Sequence, residues 1–178
     1  KFIDLIPLVS FLARLGKCCY CHKKISWQYP LVELVTALTF LLVFLKLPLA
    51  NIYLTDKIEA NYGALLAGYL IFSALLIIVF VYDFKHYLVP DRIVVPGAII
   101  ALIFSFINPS IEWWESLIGA VMVSGFFALI ILVTRGKGMG WGDAKLGLMI
   151  GALVGWQVSL LALFIAFVSG SLVGVGLI

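Results

Sequence analysis

The stretch 62–82, YGALLAGYLIFSALLIIVFVY, decides the fold. It carries no charge and no alternation of apolar and polar side chains, and a helix of that length spans about 30 Å of hydrocarbon at 1.5 Å per residue. A strand of a membrane barrel would instead show about ten residues of alternating polarity. Outward from this segment, further apolar stretches lie near 31–49, 92–107, 115–134, 144–155 and 158–178. The expectation is an all-α, polytopic integral membrane protein with about six transmembrane helices. The stretch from Asp143 to Gly155 is short, reaching only about 20 Å as a helix, so it is expected to enter the bilayer without crossing fully. Composition agrees, since 64% of the 178 residues are hydrophobic and 12% charged, against about a quarter charged in soluble domains. The net charge of +3 is dispersed among apolar blocks, which excludes a nucleic-acid-binding face. The chain begins at Lys1 and stops inside the apolar run Val175 to Ile178, so both ends are expected to continue in a longer protein.

Orientation follows from the loops, because cytoplasmic segments carry the excess of Lys and Arg. Of the 12 such residues, Lys1, Arg14, Lys17, Lys23, Lys24, Lys85, Arg92, Arg135, Lys137 and Lys145 fall in 1–30, 83–92 and 135–145. The intervening loops hold Lys46 and Lys57 beside Asp56, Glu59, Glu112 and Glu115. The basic segments, including the N-terminal one, are therefore expected to be cytoplasmic. The one shift in composition comes at Tyr29-Pro30, dividing a cysteine-bearing segment, 1–29, from the membrane region, 30–178. Pro30 suits the start of the first helix.

Acidic residues at membrane depth are costly and point to function. Asp83 directly follows the uncharged stretch, in VYDFKHYLVPDR, and Asp143 lies in GMGWGDAKLG at the entrance of a later apolar block. Both belong to the basic, cytoplasmic side. Two carboxyl groups brought together from different helices resist double ionisation, so that one can serve as acid and the other as base. The plainer alternative is that each is a solvated charge at a span end. Gly138, Gly140 and Gly142 alternate before Asp143, giving a backbone that can approach another segment closely. The run lacks the Gly-Lys-Ser/Thr ending of a phosphate-binding loop.

GMGWGD at 138–143, YDFKHYLVPD at 82–91 and QYPLVEL at 28–34 after a Cys-x-x-Cys, three motifs in the family's order, resemble the type IV prepilin peptidases, the G-x-G-D aspartic proteases of bacterial membranes. The resemblance covers nearly the whole chain, including IPLVSFLARLGKC near its start. It implies a cytoplasmic cysteine-containing segment (1–29) and a transmembrane aspartic protease domain (30–178). The implied activity is removal of the short basic leader from prepilins or pseudopilins at the cytoplasmic face of the bacterial cytoplasmic membrane. It implies Asp83 and Asp143 as the catalytic pair, with Gly140 and Gly142 in the motif and Asp91 open to an auxiliary role; Lys145 joins them as a support through its charge beside Asp143. We expect Asp91 to cap the third span through its carboxylate. From helix ends alone, Asp83, at a C-terminus, would carry the shared proton and Asp143, at an N-terminus beside Lys145, the charge. An aspartic mechanism requires no cofactor, and the expected partners are the substrate and the lipid bilayer.

The three cysteines all lie in Cys18-Cys19-Tyr20-Cys21-His22. Cys18-x-x-Cys21-His22 has the form of a haem attachment motif, which the cytoplasmic placement disfavours. Structural zinc wants four ligands and one pair is present, so Cys18 and Cys21 stand as zinc ligands only alongside a second pair, which the resemblance places upstream. The alternative is a reduced thiol cluster without metal. Glu33, one turn into the first span, is read either as a partner of that helix's N-terminal dipole or, through the resemblance, as part of a region that methylates the new N-terminus with S-adenosylmethionine. His22, Lys85, His86, Arg135 and Lys137 read as solvated groups, the basic ones facing anionic lipid. A proton-coupled transporter with the two acids as relay groups is the competing class, but it would place them near the midplane.

Overall fold

The computed structural model describes residues 10–11, 14, 16–18, 23–52, 62–137 and 139–176. Five helical elements follow one another: α1 (Gln28–Ile52), α2 (Tyr62–His86), α3 (Asp91–Ser105), α4 (Trp113–Val133) and α5 (Trp141–Gly176). The class is all-helical, as expected. The expected count of about six crossings is not confirmed. Among the described residues four stretches are long and apolar enough, 28–47, 62–86, 113–133 and 141–172. With 15 residues, α3 reaches only about 22 Å, and the last two expected spans form one element interrupted at Gly155.

That interruption is a reversal of direction. Phe127 on α4 touches the position a Gly147 side chain would occupy, 2.8 Å away, and also stacks on Phe167 with centroids 6.5 Å apart. In a straight helix, 147 and 167 would be separated by about 30 Å. One ring can meet both only if the second half of α5 folds back beside the first. Gly155 makes the turn at φ 74°, ψ 172°, a conformation almost confined to glycine. Sequence had separated 144–155 from 158–178 at the same point.

The bundle is packed as helices in lipid are. Large apolar side chains face outward, with Phe80, Ile99 and Leu129 all exposed, because lipid is as apolar as they are. Small and hydrogen-bonded residues meet inside. A Cβ at Gly119 of α4 would stand 2.5 Å from the Gly151 carbonyl of α5, so the backbones touch there, and the buried Ser116 hydroxyl donates to the Ala152 carbonyl across the same seam. On the other side of α5, fully buried Met149 packs with Val79 of α2 and Val94 and Ala98 of α3. This cluster lies one helical turn beneath Asp83 and positions the site above it.

Candidate active site

Asp83 sits near the C-terminal end of α2. Its main-chain carbonyl accepts the Tyr87 N–H at 2.7 Å, and Tyr87, with φ 54°, turns the chain sharply out of the helix. Only 87–90 then separate α2 from α3. Pro90 occupies the N-cap position of α3 in extended conformation, its carbonyl accepting the N–H groups of Ile93 and Val94.

Asp143 enters from α5. Its N–H donates to the Gly140 carbonyl at 3.2 Å, closing the first turn. Gly142 lies against the α2–α3 linker, where a Cβ would come 2.8 Å from both Cβ and Cγ2 of Val89. Only a residue without a side chain lets the start of α5 rest there, and the contact draws Asp143 toward the helix end bearing Asp83. The two motif aspartates thereby lie at the same end of the bundle. Gly140 has an open surrounding, so its part is the turn rather than a close contact.

Asp83 is exposed and Asp143 half-buried. Assignment of acid and base from helix ends contains no such difference in solvation.

Two supporting residues differ from expectation. Asp91 makes no side-chain cap for α3, because its carboxylate accepts the Lys145 ammonium at 2.6 Å instead. Lys145 is thereby tied to the start of α3 rather than directed at Asp143, and the bridge joins the N-terminal turns of α3 and α5 from the far end of the linker. Val89 and the Asp91–Lys145 pairing were missed because both contacts are distant in sequence, and no local pattern signals them. Lys85, His86, Arg135 and Lys137 are all exposed, and His86 packs on Tyr82 with centroids 4.6 Å apart.

Helix α1 starts at Gln28, with the Ser26 hydroxyl accepting the Gln28 N–H at 3.3 Å. This is two residues before Pro30, which still lies in the first turn. Glu33 therefore lies one turn into the helix and is exposed. Cys18 is half-buried, and its N–H donates to the Lys23 carbonyl at 2.9 Å, while Lys17 and Lys24 pair as an isolated antiparallel bridge. Cys21 and His22 lie outside the described residues. Among the described residues no cluster of three His, Cys, Asp or Glu could hold a metal. Structural zinc wants four ligands, and of the two cysteines proposed for it Cys18 falls within the described residues.

Residues 70–175 match the type IV leader peptidase family, and residues 1–47 match the bacterial peptidase A24 N-terminal domain. The chain is 36% identical over 171 residues to a prepilin leader peptidase/N-methyltransferase of Bacillus subtilis, covering 96% of this chain and 63% of that protein. Similar relatives of the same name occur in Pseudomonas putida (35% identical; 97% of this chain, 57% of the relative) and Aeromonas salmonicida (32%; 99% and 57%). The chain thus spans 57 to 63% of the length of these relatives. No solved structure matches it. With both motif aspartates inside the matched region and the match covering more than half the chain, the protein belongs to the type IV leader peptidase family.

Proposed function

We propose that this multi-pass membrane chain carries the catalytic part of an aspartic endopeptidase. It removes the short basic leader of type IV prepilins or pseudopilins at the cytoplasmic face of the bacterial cytoplasmic membrane. The observation that supports the proposal is the seating of Gly142 on Val89 of the α2–α3 linker, which brings the Tyr82-Asp83 and Gly140-x-Gly142-Asp143 motifs to one end of the bundle. The relatives' names supply the substrate class, and the basic loops at that end support the cytoplasmic side.

The pair shares one proton. Its ionised carboxylate takes a proton from water as the water oxygen attacks the peptide carbonyl carbon, while the protonated partner gives its proton to the carbonyl oxygen. Collapse of the tetrahedral intermediate breaks the C–N bond, and a proton returns to the departing amine nitrogen. Acid and base both come from the chain, so the peptide step calls for no cofactor. Segment 1–29 is proposed as a separate cytoplasmic unit and 30–178 as the protease domain. Methylation of the new N-terminus, the second activity in the relatives' names, would use S-adenosylmethionine, with Glu33 as the residue the resemblance offers.

The test is cleavage of a prepilin by full-length protein in detergent or lipid. Asp83→Asn and Asp143→Asn should each lower the rate by roughly 10²–10⁴-fold, whereas Asp91→Asn should cost far less. Persistent cleavage by either of the first two variants would remove that residue from the mechanism.

A further inference from the structure

At the end of the bundle opposite the aspartates, a cavity of about 290 Å³ opens where α5 turns back. Tyr69 of α2, Glu115 of α4 and Gly155, Trp156, Gln157 and Val158 of α5 are among the residues lining it. Among the described residues, Trp156 Nε1 is the buried side-chain nitrogen or oxygen without a hydrogen-bond partner. A buried donor is costly to leave unmet and calls for an acceptor.

Tyr69 offers a second donor. Asn108 Oδ1 accepts the Ser110 N–H at 3.1 Å, which fixes the amide so that its nitrogen donates to the Tyr69 oxygen at 3.0 Å. The phenol accepts that bond and keeps its own hydrogen to give. Glu115 brings the opposite chemistry. Its Oε2 accepts the Glu112 N–H at 3.2 Å, and the carboxylate still has a second oxygen and its charge to offer a cation.

A lone anion would take the two donors but face Glu115, and a lone cation would pair with Glu115 but leave both donors unmet. One molecule carrying both charges satisfies all three groups. Trp113 and Trp114, exposed in the first turn of α4, mark the level at which indoles meet lipid headgroups, and Glu115 follows directly. Val158 on the cavity wall is 54% exposed on an apolar helix half, which gives acyl chains a surface beside the cavity. The volume lies at the lower edge of the roughly 300–1,000 Å³ of pockets that enclose a whole small molecule, so it suits a headgroup whose chains stay outside.

We propose that this cavity binds the amine–phosphate headgroup of a zwitterionic phospholipid. The ammonium pairs with Glu115, and the phosphate oxygens accept from the Tyr69 hydroxyl and from the Trp156 indole, which turns to meet them. The site lies at the far end from both aspartates and does not depend on the peptidase reading.

The test follows tryptophan emission and the thermal midpoint of full-length protein in detergent as phosphatidylethanolamine, phosphatidylcholine or phosphatidylglycerol is added. Phosphatidylethanolamine should change the emission saturably and raise the midpoint, and Trp156→Phe should lose that emission change and most of the rise. Phosphatidylcholine, whose ammonium has no N–H, and phosphatidylglycerol, which has no cation, should bind about tenfold more weakly. Glu115→Gln keeps the capping acceptor and removes the charge, so it should weaken phosphatidylethanolamine by about tenfold and abolish its preference over phosphatidylcholine. Equal binding of the three lipids, or an unchanged preference in folded Glu115→Gln, would overturn the proposal. Emission that no lipid alters would do the same and leave the cavity to water. Glycerophosphoethanolamine, the same headgroup without chains, should bind far more weakly, and equal affinity would overturn the lipid in favour of a soluble zwitterion.

Discussion

The two ends of the bundle are held together by different means. At the end where α3 passes to α4, the groups are mostly neutral and buried. Asn108, 4% exposed, donates from its amide to the Tyr69 hydroxyl at 3.0 Å, Ser116 bonds across to α5, and Glu112 with Glu115 forms a capping box on α4. Trp156 Nε1 is the exception, buried without a partner where its residue lines a cavity of about 290 Å³. At the aspartate end the fasteners are a glycine contact and an ion pair open to water. A buried hydrogen bond is expensive to break, since its freed groups find no water, whereas an exposed ion pair contributes little. Stability should therefore reside mainly at the first end, leaving the second to hold charge where a substrate can reach it. Substitutions at the aspartate end should register in activity and those at the other end in stability.

The sharpest break of this contrast after the aspartates themselves is Gly142→Val. Its side chain would collide with Val89 and displace the first turn of α5. A shift of about 1 Å at the reacting groups can cost 10²-fold in rate, so prepilin cleavage should fall about that far while the thermal midpoint in detergent stays near wild type. Trimming the obstacle with Val89→Ala should recover part of the loss. A variant that loses stability in step with activity, and that Val89→Ala does not help, would show that Gly142 serves the fold generally.

What sequence conveyed and what it withheld divide along the same line. The apolar run 62–82 and the polarity of the loops announced helices and their ends, because burial in lipid is a property of each segment alone. The pairing of Asp83 with Asp143 became legible through the motifs and not through spacing. Local signals do not record contacts between helices, so Gly142 on Val89 was invisible, and Asp91 was expected to cap α3 when Lys145, 54 residues away, takes its carboxylate. The number of crossings is not confirmed, because length and composition alone do not say whether a short apolar stretch such as α3, or each half of an element that doubles back such as α5, crosses the membrane.

At the opposite end, Gly155→Ala tests the turn on which that doubling depends. A non-glycine residue forced to φ 74°, ψ 172° should cost about 1–3 kcal/mol. The cost should appear as a lower unfolding midpoint in denaturant titrations of the detergent-solubilised protein. Cleavage measured well below that midpoint should fall much less than in Gly142→Val. Unchanged stability would mean that α5 reverses by another route, and the account of the cavity at that turn would have to change with it.

The smallest effect should come from the ion pair. Lys145 and Asp91 side chains are 41% and 59% exposed, and pairs so open to water contribute about 0.2–1 kcal/mol, less as salt rises. A double-mutant cycle of Lys145→Met and Asp91→Asn, read in unfolding free energy, should give a coupling in that range. The same cycle read in cleavage should show only a few-fold coupling, weakened at high salt. A coupling of several kcal/mol would mean that the bridge fixes the start of α5 as firmly as buried hydrogen bonds fix the other end, and the division between a stable end and a reactive end would fail. A small coupling in stability with a large one in cleavage would sharpen that division, making the bridge a device that aligns Asp143 without holding the fold.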